Sequence, residues 1–138
     1  MTTAGPARRA WILPVVLAGV AYTVIGVLFP VLETSPASVE YLRWAAWVAS
    51  AAVGAAHIGY EHFRLHNPPR QAALHAAAGV ALGAFGLALA ANLHELASAT
   101  AFRPRMLVAL AAWPLLTAVP AFLLALVVAT GLGFSRKH

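Results

Sequence analysis

Residues 54–79, "GAAHIGYEHFRLHNPPRQAALHAAAG", hold four of the chain's six histidines, one of its four acids and two arginines. Imidazole and carboxylate together bind divalent metals and exchange protons near neutral pH. His57 and Glu61 are four residues apart, which puts them on one face of a helix. His57 precedes Arg64 by seven residues and His75 follows Arg70 by five. In a helical hairpin that turns at 67–70, their depths differ by about 3 Å on a 1.5 Å rise. If both helices turn these faces inward, His57, Glu61 and His75 meet just inside the turn.

Two cofactor chemistries fit that meeting. A divalent metal would take His57, Glu61 and His75 as ligands. A haem b would take His57 and His75 axially, with Gly54 and Gly79 making room for the ring and Arg64 and Arg70 facing its propionates. The competing reading is a boundary cluster. His62, Arg64, His66 and Asn67 belong to the turn, His57 and His75 lie one or two helical turns inside it, and His57–Glu61 is then an intrahelical pair. The residue pattern leaves these readings open.

Other chemistry finds little support. The chain has no cysteine, hence no disulfide, no thiolate nucleophile and no iron–sulfur ligand. HExxH, GxSxG, P-loop and paired-carboxylate motifs are absent from it. A non-catalytic role is therefore the expectation.

The elements that must carry the histidines follow from composition. Of 138 residues, 62% are hydrophobic and only 9% charged, with a mean hydropathy of +0.80. A soluble domain carries roughly 25% charged residues, so the expected solvent for most of this surface is lipid. Uncharged stretches run over 10–32, 44–60, 71–94 and 106–135. About 20 helical residues cross the roughly 30 Å hydrocarbon core. The second stretch is short, and Tyr41 to Trp47 would supply its interfacial end. The expectation is an all-α integral membrane protein of one domain, with transmembrane helices over about 10–32, 41–64, 71–96 and 106–134. The apolar run after Arg8 and Arg9 is too long for a signal-peptide core and reads as a retained span. Short links, "ETSPASVE" (33–40), "NPPR" (67–70) and "SATAFRPR" (98–105), favour an up-down-up-down bundle. Pro14, Pro30, Pro114 and Pro120 would kink helices 1 and 4.

Charge placement orients the bundle. Arg8, Arg9, Arg64, Arg70, Arg136 and Lys137 fall on one side, and Arg43, Arg103 and Arg105 on the other. The positive-inside rule then puts both termini in the cytoplasm. Scattered in ones and twos, these cations form no face for nucleic acid. Eight arginines against one lysine, with abundant alanine, match a GC-rich bacterial genome and so a bacterial inner membrane.

In helix 3, His75, Gly79, Gly83, Gly86, Ala90 and His94 fall within about 100° of one face. Gly79 and Gly83 form a GxxxG pair, which lets helix backbones approach closely in lipid. The expected partner is Ala45, Ala49, Ala52 and Ala56 of helix 2; the alternative is a slot for a flat pigment. The midplane offers mainly Thr23, Ser50 and Thr117 as polar groups, few for a transport path. The leading expectation is a small membrane subunit that packs against partner membrane proteins or further copies of itself. A haem- or metal-binding protein, with electron transfer as one use, comes second, and a small oligomeric channel or transporter third.

Overall fold

The computed structural model describes residues 10–98 and 105–135, and every regular element in them is helical. The helices are α1 (Ile12–Val31), α2 (Pro36–Phe63), α3 (Pro69–Ser98) and α4 (Arg105–Ser135). Three stretches are long and apolar enough to cross a membrane: Ile12–Val31, Pro69–Ser98 and Met106–Phe134. At 28 residues α2 has the length, but Glu40, Arg43, His57, Glu61 and His62 make it the most polar of the four.

Local chemistry explains the ends. α2 starts five residues before the expected boundary because Ser35 and Ser38 form a reciprocal cap, with Pro36 in the first turn. Ser35 Oγ accepts from Ser38 N–H at 3.2 Å, and Ser38 Oγ accepts from Ser35 N–H at 2.9 Å. That satisfies two donors a helix start leaves free. Pro69 opens α3, where a missing N–H costs nothing. The prolines of α1 sit at its ends rather than mid-span. Pro14 falls in the first turn and Pro30 in the last, so neither can kink the helix centre. Pro114 and Pro120 do lie inside α4.

α3 is the hub. It packs most extensively on α4 and next on α1, whereas α2 touches α3 and α4 only lightly. The glycine stripe meets α1, not α2. A Cβ added at Gly79 would lie 3.2 Å from Ala18 Cβ, one at Gly83 2.5 Å from Tyr22 Cβ, and one at Gly86 against Thr23 Oγ1. α1 returns the fit, since Gly19 lies under Leu82 and Gly26 under Leu87. Leu87, off the glycine stripe, is thus also part of this interface. Thr23 Oγ1 donates to Gly19 O at 3.0 Å and to Gly83 O at 3.3 Å, joining the two backbones. Contact positions rise together along α1 and α3, so these two helices run in the same sense.

α4 runs against α3. Asn92, buried near the end of α3, donates through Nδ2 to Ala88 O at 2.7 Å and to Met106 O at 2.9 Å. At the other end Ala72, Ala73 and Ala76 of α3 pack with Ala125 and Ala129 of α4 and with Ile58 of α2. From Ser38 to Ala56, by contrast, no side chain of α2 is buried. The expected match between its alanine face and the helix 3 glycines does not form.

Close approach gives a sharp test. Gly83→Ala should lower stability by about 1–3 kcal/mol, because its Cβ meets Tyr22 Cβ rather than a movable side-chain tip. Gly59→Ala meets nothing within 4 Å and should be neutral or stabilising by up to about 1 kcal/mol through helix propensity. Equilibrium unfolding in detergent of the two variants beside the parent chain measures both.

Candidate functional site

The turn between α2 and α3 is built around one carboxylate. Arg64 N–H closes α2 on Tyr60 O at 2.9 Å, and Leu65 N–H reaches the same oxygen at 3.2 Å. His66 then takes φ 53°, the left-handed region that histidine tolerates better than most residues. This reversal swings Asn67 back over the helix end. Its N–H donates to Glu61 O at 3.1 Å, and its side-chain Nδ2 donates to Glu61 Oε2. Asn67 can leave the helix here because proline follows it. Pro68 O then accepts from Gln71 N–H at 2.9 Å and from Ala72 N–H at 3.1 Å, and α3 begins.

Glu61 itself has no exposure at all. Its second oxygen, Oε1, lies 2.9 Å from His75 Nδ1, which donates to it from α3. His57 Nε2 approaches the same oxygen at 3.8 Å and makes no hydrogen bond. Trp11, at the start of α1, stacks on the His75 ring with centroids 4.6 Å apart and planes 10° from parallel. The structure therefore brings His57, Glu61 and His75 together, all buried, and adds Asn67 and Trp11.

The added pair could be found in the residue types only with the geometry in hand. Asn67 reads as a turn residue, which it is, and Trp11 as a boundary aromatic. Among the described residues the other histidines take no part in these contacts: His66 and His94 are exposed, and His62, whose Nε2 is also enclosed without a hydrogen-bond partner, sets its ring edge-on to Phe63 at 4.8 Å.

The geometry bears differently on the two cofactor chemistries. Bis-imidazole haem ligation needs a flat space between His57 and His75, and the Glu61 carboxylate stands there. The Gly79 side of the groove is filled by Ala18 and the Val15 carbonyl of α1. For a metal, among the described residues no three histidine or acidic side chains stand in a ligating array as they are. Two donors on one tetrahedral ion lie about 3.3 Å apart; here the separations from Glu61 Oε1 are 3.8 Å and 2.9 Å, one wider and one closer.

Compared with known protein families, with curated proteins and with solved structures, the chain matches none.

A buried carboxylate without donors is costly, and removing one partner of such a pair costs about 3–5 kcal/mol. His75→Ala should fall in that range, and Asn67→Ala should lose about 1–3 kcal/mol. His57→Gln should cost least of the three, since Nε2 has no hydrogen bond to lose. Equilibrium unfolding in detergent orders the three, and an ordering with His57 on top would contradict the assigned contacts.

Proposed function

We propose that this chain is a small non-catalytic subunit of a bacterial inner membrane. It crosses the bilayer four times with both termini cytoplasmic, and it packs against partner membrane proteins or further copies of itself. The observation that carries this reading is the uncovered half of α2. From Ser38 to Ala56 no residue of the helix is fully buried, and on its outer face Tyr41, Trp44, Trp47 and Val48 are all at least 66% exposed. With Glu40 and Arg43 beside them, this half is less suited to lipid on all sides than α1 or α4. A protein neighbour would cover it.

The rest of the surface supports the membrane part. Large apolar side chains lie on the surface of the described residues: Leu13, Val31, Leu115, Leu124 and Val127 are 65–73% exposed. Lipid accepts such a surface, and water does not.

Reporter fusions at Ser38 and Thr100 should report the periplasmic side, and fusions after Asn67 and His138 the cytoplasmic side; an inverted pattern overturns the orientation. The mass of the protein extracted in mild detergent tests the subunit role. A complex larger than one chain is expected, and a lone chain in native extracts overturns it.

A further inference from the structure

We infer that His57, Glu61 and His75 form a binding site for one divalent transition-metal ion of the zinc class. This goes beyond the subunit reading and does not depend on it. The decisive observation is His57: its side chain is 4% exposed, and Nε2 is fully enclosed with no hydrogen-bond partner. A nitrogen left bare inside a protein costs roughly 1–3 kcal/mol, and it points at the one buried carboxylate of the bundle. Imidazole nitrogen and carboxylate oxygen are the donors such ions take at about 2.0–2.2 Å. To hold one ion at Oε1, His57 must close from 3.8 Å and His75 must open from 2.9 Å, each by about half an ångström, to the roughly 3.3 Å of ligands on a tetrahedral ion. Side-chain torsions supply such movements. His75 gives up the proton on Nδ1 to ligate, and a solvent-derived ligand completes the set.

Two neighbours would hold the ligands in place. Asn67 holds the second carboxylate oxygen and so fixes which lone pairs of Glu61 face the histidines. Trp11 fixes the plane of the His75 ring. An open groove of about 470 Å³ between α1 and α2, lined by Pro14, Leu17, Ala18, Ala56 and Tyr60, has His57 in its wall.

The test uses the full chain in detergent, stripped with chelator and titrated with Co²⁺. One ion per chain should bind, giving the visible absorption of a low-coordinate nitrogen and oxygen site, and Zn²⁺ should displace it. Co²⁺ should also quench Trp11 in a chain carrying Trp44→Phe, Trp47→Phe and Trp113→Phe, three exposed positions that leave every ligand intact. His57→Gln should weaken binding by more than about 100-fold and Asn67→Ala by about 10–100-fold. His94→Ala, exposed at the far end of α3, should change nothing. Zn²⁺ should raise the unfolding midpoint of the parent chain and not that of His57→Gln. Absence of saturable Co²⁺ binding, binding that leaves Trp11 bright, or parental affinity in His57→Gln would each overturn the site.

Discussion

A carboxylate with no contact with water, Glu61, is the constraint on which the closed end of this bundle depends. An ionised carboxylate in such a place must be surrounded by donors, or the fold pays several kcal/mol for it. Here the donors come from outside its own helix: Asn67 from the turn and His75 from α3. Satisfying Glu61 therefore fixes the path of the α2–α3 turn and the rotation of α3 about its axis. Trp11 extends the constraint to α1 by lying flat on the His75 ring. One side chain thus sets the mutual placement of three helices at this end.

That rotation has consequences along the whole of α3. With His75 turned toward Glu61, the residues four, eight and eleven positions later, Gly79, Gly83 and Gly86, form the line that meets α1. In lipid no hydrophobic effect drives helices together, so close backbone approach and interhelical hydrogen bonds must do it. Thr23 makes such a bond, to Gly83 O, at the place where the two backbones come nearest. Leu82 and Leu87 fill the complementary gaps over Gly19 and Gly26. The opposite side of α3 is left for α4, where the alanine layer and Asn92 close the other interface.

Helices, turns and the meeting of His57, Glu61 and His75 were legible because each rests on short-range rules: apolar length, proline and capping residues, and the i, i+4 geometry of a helix face. The partner of the glycine stripe was not. A row of small residues says that some backbone comes close but not which, and the alanines of α2 matched it as well in residue type as Ala18 and Gly19 do. Depth along the bundle cannot separate the two choices, because helices 1 and 2 both pass that level. Trp11 and Asn67 escaped for a related reason. Each already had a sufficient reading, as an expected boundary aromatic and as the residue before a proline, and only the fold reveals the second role. The early start of α2 at Pro36 was hidden because the apolar pattern begins later than the Ser35–Ser38 cap.

The two halves of α2 make opposite demands on their surroundings. Near the turn, its polar groups are enclosed by the protein itself, with Ile58 in the alanine core and Glu61 sealed by Asn67 and His75. Beyond Gly54, which rests near Tyr22 OH, the helix leaves the core, and its alanines, tryptophans and the Glu40–Arg43 segment remain outside. A helix held firmly at one end and at most half-buried over the next thirty ångströms, at 1.5 Å per residue, has a fixed direction but an incomplete covering. Intramolecular packing covers only part of it, through α1, because α3 has both of its sides occupied by α1 and α4. The small side chains at Ala45, Ala49 and Ala52 leave a shallow apolar groove on this half, so a helix laid in it would meet the α2 backbone at close range.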